Sequence, residues 1–497
     1  MDNYQLASYL YEIADYLEAI QNKFRARAYR KAANIISNLT SQVTTLKSNN
    51  FDLQELPYIG KGINGVINKI LSNEFNVIEF ILHHNYASNV IQKSPLRLHN
   101  AKKLAELVIH ILEKFDNIIK VHITGALRRH NELIDHLEFV LVTKNNFHWQ
   151  DLVGSPLITN VIMNDDHAEV TILNVVNINL YGTHNKNVGE TLLKSTGSTL
   201  HLKKLKQILP LQTFNFPDMT EKEIYNSIDL PYIEPELRMG RDEISLALSN
   251  TLPKLVQLKD IKGDLHCHTN ETDGVLDLER VVEYAIYQGY EYLAITDHSQ
   301  RLKITNGLDK KRLFNQIKLI DRLNSKFNNF RILKSSECDI LEDGRLDFPS
   351  DVLKELDLVV CSVHSLFRLT KSQQTTRIIR AIENPYCTIL GHPTGRLINN
   401  RLPYEVDVEK ILSAARDHGC AVELNSQPYR LDLKAEYCNL AKSLGVKISL
   451  SSDAHSLRGF KFMALGLTQA RRAGLEASDI INTYSLNNLK KFIRKTN

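Results

Sequence analysis

The sequence predicts a multidomain α/β protein: a helical N-terminal domain, an α+β middle region, and a C-terminal half built on a parallel, barrel-like sheet. Three observations predict it. Residues 4–85 carry apolar side chains at the three-to-four spacing of helix faces. Residues 101–250 mix helical stretches with alternating strands. After Asp260, short apolar strands alternate with amphipathic helices about seven times in roughly 240 residues, which fits a closed barrel better than an open sheet. A chain of 497 residues has room for about three domains at roughly 150 residues each. The divisions fall at 1–85, 95–250 and 258–497.

Each element has its own signal. Leu6, Leu10, Ile13, Leu17 and Ile20 mark one helix face, and Phe24, Ala28, Ala32, Ala33 and Ile36 a second. In LPYIGKGINGVINKIL (56–71) a glycine-containing turn joins two helical stretches. Asn and Lys richness over 85–104 suggests a linker. A helix over 101–115, strands over 118–123 and 137–142 around the turn GALRR, and one further strand over 170–180 follow. Helices return from 185 to 250, broken near Pro210, Pro217 and Pro231. The barrel strands are expected at 293–296, 331–336, 356–363, 388–392, 421–425 and 447–453.

Composition excludes several classes. At 43% hydrophobic and 24% charged the chain is ordinary globular protein, neither disordered nor fibrous. A net charge of +4 is too small to imply nucleic acid or membrane by itself. No run approaches the roughly 18 apolar residues of a membrane helix, so no membrane partner is expected. The opening MDNYQLASYLYEIAD has early acids and no apolar h-region, so no signal peptide is expected and the location reads as cytoplasmic. The six cysteines, scattered and without CxxC spacing, read as reduced thiols.

The strongest chemistry lies where the barrel strands end. His266 and His268 sit in GDLHCHTNETDG, one residue apart, so both imidazoles can reach one ion while Cys267 points elsewhere. Asp273 follows on the next loop. His298 ends LAITDH, Glu337 ends RILKSSE, His364 ends VVCSVH, His392 ends ILGH, and Asp453 and His455 end ISLSSDAH. In a barrel the C-terminal strand ends converge on one face. Nine ligand-type side chains meeting there are costly to keep without cations. Imidazole mixed with carboxylate suits Zn²⁺, Mn²⁺ or Fe²⁺ rather than Ca²⁺. More than four ligands imply two or three ions, and clustered ions acidify water and neutralise phosphate charge. Glu337 and Asp453 stand among the candidate catalytic groups. Arg396 in HPTGR and Arg430 in QPYRLDL lie on loops at the same face, as phosphate clamps or as surface ion pairs.

Residues 261–497 resemble the PHP (polymerase and histidinol phosphatase) family, with HCH, TDG, TDH, the Glu strand, SVHS, GHPTGR and SDAH in the family's order. The resemblance implies a distorted (β/α)7 barrel holding three divalent ions, Mn²⁺ first. It assigns His266, His268, Glu337 and Asp453 to one ion. Glu337, His364 and His392 go to a second, and Asp273, His298 and His455 to a third.

The run FRARAYRKAA (24–33) and LPYIGKGI (56–63) resemble the small N-terminal domain of bacterial family X DNA polymerases. A helix-hairpin-helix there would offer Gly60, Lys61 and Gly62 backbone N–H groups to a DNA phosphate, with Arg25, Arg27, Arg30 and Lys31 nearby. A plain helix–loop–helix is the alternative. The position of the lyase lysine of eukaryotic relatives holds Val66, which cannot form a Schiff base. ITGALRR, EVTILNVVNINLYG, STGSTLH and EIYNSIDLPYIEPELR resemble the palm and thumb of the same polymerases, so the whole chain is similar to bacterial PolX, a polymerase fused to a PHP nuclease. Residues 86–130 hold eight Lys/Arg against three acids, and Arg128 and Arg129 are candidate DNA contacts. A solvated helix face is the bland alternative.

The polymerase pattern is broken where it matters. The family's paired aspartates fall at His136 and Glu138, its third at Asn179, and the serine of GSxRR at Ala126. The asparagine after TGSxxH is Leu202, and a fingers segment is missing between about 85 and 100. One carboxylate cannot replace three around hard Mg²⁺, so the polymerase half is expected to be inactive and kept as a DNA-holding platform. The resemblance thus implies a monomeric DNA-repair enzyme working on 3′ ends of gapped or nicked duplex by 3′→5′ removal of nucleotides. A gap-filling polymerase, a histidinol-phosphatase-like small-molecule phosphatase and a non-enzymatic scaffold are the rivals.

Overall fold

The computed structural model describes residues 1–83, 95–144, 148–153, 155–163, 167–174, 176–208 and 216–496, the side chains only as far as 493. The chain divides into two compact units, Met1–Leu252 and Pro253–Asn497.

The first unit opens with helices α1 (Asn3–Ala19), α2 (Lys23–Asn38), α3 (Val43–Ser48), α4 (Lys61–Leu71) and α5 (Val77–His83). A capping box between Asp2 and Gln5 starts α1, and Leu6, Leu10, Ile13 and Leu17 form its buried face. In α2 the buried Ala32, Ala33 and Ile36 match the sequence reading, and only the first half departs from it. Asn22 caps the helix, Phe24 lies in the first turn and is 85% exposed, and the inner stripe runs through Ala26, Tyr29, Ala33 and Ile36. Helix α6 (Leu98–Leu112) begins three residues earlier than expected, inside the stretch read as linker. The expected loss of a fingers segment falls largely on 84–94, outside the described residues.

A five-stranded sheet follows among the described residues. Its strands are β1 (Ile118–Ile123), β2 (Leu137–Thr143), β3 (Ile158–Met163), β4 (Ala168–Ile172) and β5 (Val176–His184), in the order β1-β2-β5-β4-β3. Strands β2 and β5 run parallel, and the other pairs antiparallel. The single strand expected over 170–180 is instead two antiparallel strands. The chain reverses between them at Leu173 and Asn174, both with left-handed backbone (φ 56° and 54°). Strand β3 gives no clear alternation in sequence and was not expected.

The second unit is the barrel. Strands β6 (Gly263–Asp264), β7 (Tyr292–Ile295), β8 (Arg331–Asp339), β9 (Leu358–Ser362), β10 (Ile389–Leu390), β11 (Ala421–Asn425) and β12 (Ile448–Ser451) lie side by side in chain order, all parallel. A parallel bridge between Cys267 and Ala454 brings the first and last together, with His268 N donating to the Ala454 carbonyl at 2.9 Å. Period-two sidedness sorts the side chains. Leu265, Tyr292, Ala294, Leu333, Leu358, Val360, Ile389 and Ala421 fill the interior, plugged by Leu489 and Ile493 of helix Leu486–Thr496. Val359, Cys361, Val422, Leu424, Ile448 and Leu450 face the helical shell. All six cysteines are buried free thiols. No helix among the described residues is long and apolar enough to cross a membrane.

Candidate metal centre

The same parity carries ligand-type residues inward. On β8, Leu333 lines the interior, so Glu337 and Asp339 two and three repeats later point the same way. On β9, Leu358 and Val360 set the side that His364 inherits. From β7, Tyr292 and Ala294 lead to His298. Ile389 puts His392 on the wrong parity, and the chain re-aims it with a left-handed backbone at φ 25°. Asp453 adopts φ 50° just beyond β12. Such conformations are sparsely populated by residues other than glycine and persist only where surroundings over-determine them.

All nine expected ligand residues converge. Glu337 is the hub and is buried. Its Oε1 lies 2.9 Å from His392 Nε2 and 3.3 Å from His364 Nε2. Its Oε2 lies 2.9 Å from His298 Nδ1, 3.4 Å from His266 Nε2 and 3.6 Å from His268 Nε2. Asp453 Oδ1 is 3.2 Å from His268 Nε2 and 3.7 Å from His266 Nε2. Asp273 Oδ2 reaches His298 Nε2 at 3.4 Å and His455 Nε2 at 3.3 Å. Three subsets are compact enough to hold an ion: His266, His268 and Asp453; His298, Glu337 and His364; and His268, Asp273, His298 and His455. His298 thus stands between two subsets, and His392 approaches through Glu337.

The donor set fits divalent cations. His266 Nε2 and both ring nitrogens of His268 are buried without a hydrogen-bond partner, which is costly unless something accepts their lone pairs. Burial, with His455 and His298 nearby, pushes His268 down to about 3, leaving it neutral as a ligand must be. Burial opposes a charge on His298, but Glu337 and Asp273 hold it up at about 10. Despite burial, His364, His298 and His266 hold Glu337 well below the usual carboxylate range, and the surrounding imidazoles do the same for Asp453. Ionised carboxylates packed among imidazoles make an electrostatic pocket that positive ions satisfy. Cys267 turns away, its thiol on the Ala294 carbonyl at 3.2 Å.

The two arginines differ. Arg430 Nε is 3.7 Å from Asp453 Oδ2 and has no hydrogen-bond partner. Arg396 is buried and donates to the backbone carbonyls of Arg430 and Leu431, so it braces the loop that presents Arg430. Sequence reasoning missed the carboxylates behind the histidines: Glu423 Oε1 is 2.7 Å from His266 Nδ1, and Asp339 Oδ1 is 2.5 Å from His364 Nδ1. Their signal was an acid at inward parity inside a buried strand. Asp297, two residues beyond β7, takes no part in the ligand-type cluster. It accepts from Thr269 N, Thr269 Oγ1, Thr272 Oγ1 and Gln316 Nε2, holding the loop that carries Asp273.

In the first unit, Glu138 on β2 pairs in register with Asn179 on β5, with His136 exposed just before β2. Glu138 is the one carboxylate among these three positions. Its Oε1 accepts from Tyr181 Oη at 3.2 Å. Arg128 forks onto Glu221 and reaches Thr196 Oγ1 at 2.6 Å, and Arg129 donates to the Thr196 carbonyl at 2.7 Å. Both guanidinium groups therefore make hydrogen bonds within the unit. Gly60, Lys61 and Gly62 are exposed at the start of α4, which has no side-chain cap, and a Cβ on either glycine would meet nothing. Val66 is buried on the inner face of α4.

The chain also matches known proteins in sequence. Residues 1–74 match the family model described as a helix-hairpin-helix domain. The DNA polymerase/3′-5′ exonuclease PolX of Bacillus subtilis (strain 168) is 36% identical over 413 residues, 80% of this chain and 72% of that protein. A probable phosphatase of Thermoanaerobacter sp. (strain X514) is 30% identical over 243 residues, 47% of this chain and 94% of the relative. Another, from Caldicellulosiruptor bescii, is 32% identical over 204 residues, 39% of this chain and 80% of the relative. With its helix-hairpin-helix match and its likeness to the Bacillus protein over most of both chains, the chain belongs to the PolX family.

Proposed function

We propose that the chain is a metal-dependent phosphodiesterase that removes nucleotides from DNA 3′ ends in the 3′→5′ direction, working at the mouth of its C-terminal barrel. The observation that carries this reading is the convergence of nine ligand-type side chains around Glu337, with buried imidazole nitrogens left without partners. His266, His268, Glu337 and Asp453 would hold one ion; Glu337, His364 and His392 a second; Asp273, His298 and His455 a third. Mn²⁺ suits the mixed imidazole and carboxylate set, with Zn²⁺ and Fe²⁺ as alternatives. Bound ions would supply positive charge for the phosphodiester oxygens and acidify the attacking water.

The chain's own side chains do the rest. Arg430, beside Asp453, stabilises the charge that builds on phosphate during displacement. Arg396 fixes the loop that aims it. The α4 hairpin at Gly60, Lys61 and Gly62 holds the duplex through backbone N–H groups, which suits a sequence-independent grip on gapped or nicked DNA. Nucleotidyl transfer is lost, because His136 and Asn179 leave Glu138 alone where three carboxylates are needed. The enzyme acts as a cytoplasmic, monomeric DNA-repair protein.

A labelled gapped duplex incubated with Mn²⁺, with and without dNTPs, tests this. The wild type shortens the 3′ strand and does not extend it, and the His266→Ala plus His268→Ala variant does neither. Extension with dNTPs would overturn the loss of polymerase activity. The probable phosphatases that match the barrel favour a second reading, hydrolysis of a small phosphomonoester, and rapid turnover of such a compound without DNA would establish it.

A further inference from the structure

Six of the seven barrel strands lead into at least one of the nine ligand-type residues. Strand β11 leads into none, yet it places two polar residues at inward parity, Glu423 and Asn425, after Ala421 in the interior core. We infer that Glu423 and Asn425 are positioning residues of the metal centre, holding His266, His392 and Asp453 in ligand geometry without binding an ion themselves. The inference rests on the reading of the barrel mouth as a metal site.

Each contact is made by a fully buried group. Glu423 Oε1 lies 2.7 Å from His266 Nδ1, and Glu423 Oε2 accepts from the His392 backbone N–H at 2.6 Å. Asn425 Nδ2 donates to Asp453 Oδ2 at 2.9 Å and lies 3.3 Å from Glu423 Oε2. Asn425 is itself held, since its Oδ1 accepts from Gln427 N at 3.0 Å. A carboxylate only accepts, so the His266 proton sits on Nδ1 and the Nε2 lone pair faces Glu337 and Asp453. The His392 contact is to the backbone, at the residue whose left-handed φ turns its ring toward the centre. One strand thereby ties together three ligand residues delivered by three other strands.

Glutamine at 423 cannot reproduce this. If its oxygen faces His266, its NH₂ is driven against the His392 N–H and the Asn425 amide, donor on donor. If it turns over, the NH₂ faces His266 Nδ1 and the imidazole must carry its proton on Nε2, the nitrogen aimed at the ions. Either arrangement damages a ligand while leaving packing volume almost unchanged. Loss of such a partner behind a ligating histidine costs about 10–100-fold in metal affinity.

The experiment is Mn²⁺ binding to metal-stripped full-length chain, measured by titration calorimetry and by bound-metal stoichiometry, for wild type, Glu423→Gln and Asn425→Ser. Melting of the metal-free forms checks that they fold. We expect Mn²⁺ affinity to fall about 10–100-fold in Glu423→Gln and several-fold in Asn425→Ser. Nuclease activity should be lost at low Mn²⁺ and recovered at high Mn²⁺, a rescue that a merely structural defect would not show. Should Glu423→Gln fail to fold, Asn425→Ser carries the test. Wild-type stoichiometry and affinity in a folded variant would overturn the inference alone. A wild-type chain that binds no Mn²⁺ would overturn it together with the functional reading beneath it.

Discussion

Removing the metal should destabilise one unit and leave the other alone, and the size of the effect counts the ions. Ligand atoms drawn from six strands coincide only in the folded barrel, so an ion binds the folded state and not the unfolded one. Under that linkage each ion present at 100 times its dissociation constant adds about 2.7 kcal/mol. A unit the size of Pro253–Asn497 gains roughly 2–4 °C in midpoint per kcal/mol. One ion therefore raises the midpoint by about 5–11 °C, and three independent ions by about 16–32 °C. The assay is thermal unfolding of the chelator-treated full-length chain followed across a Mn²⁺ titration, with Mg²⁺ in parallel. The imidazole-rich donor set predicts a much smaller response to Mg²⁺. A transition that does not move at millimolar Mn²⁺, or one that moves equally with Mg²⁺, refutes the reasoning. Movement confined to the unfolding of Met1–Leu252 would do the same.

Two further outcomes are expected. Lys61→Glu should weaken duplex binding and flatten the dependence of log affinity on log salt by about 0.9 for each phosphate no longer neutralised; an unchanged slope in a filter-binding series removes the hairpin from the DNA interface. Gly125 sits at φ 60°, a conformation L side chains rarely adopt, and a Cβ there would also press on the Glu138 side chain, so Gly125→Ala should cost more than about 1 kcal/mol and lower the first unit's melting point. The barrel's response to Mn²⁺ should survive, and a wild-type melt of the first unit would count against the backbone strain.

Much of the candidate metal centre was legible in sequence because its ligand-type residues follow apolar strands, where polarity stands out against Val, Ile and Leu. Glu423 was hidden because it sits inside a strand, and its partners His266 and His392 lie 157 and 31 residues away. The same long reach hid Asp339 behind His364, 25 residues on. The hydrogen-bond partners of Arg396, Arg128 and Arg129 were illegible for a different reason. A guanidinium recognises backbone carbonyls or carboxylates as readily as phosphate, and spacing does not distinguish them. Among the elements, six of the seven barrel strands carried short buried apolar runs and came out close to their observed bounds, while β6, only Gly263 and Asp264, carried none. The hairpin of β4 and β5 did not come out so, because its reversal at Leu173 and Asn174 carries no glycine or proline to mark it. Phe24 shows that an apolar residue at the right spacing can still face solvent when it falls in a helix's first turn.

The meeting of Cys267 with Ala454 has a consequence for how the protein is made. The first and last ligands, His266 and His455, stand nearly at opposite ends of the C-terminal unit. During synthesis the hairpin helices emerge first and can fold, while Asp453 and His455 are still inside the ribosome. A chain interrupted before then has its helical N-terminal elements but lacks two of the nine ligand-type residues. Closure of the ring, and with it the gathering of the ligand-type cluster, therefore waits on the last strand of the barrel.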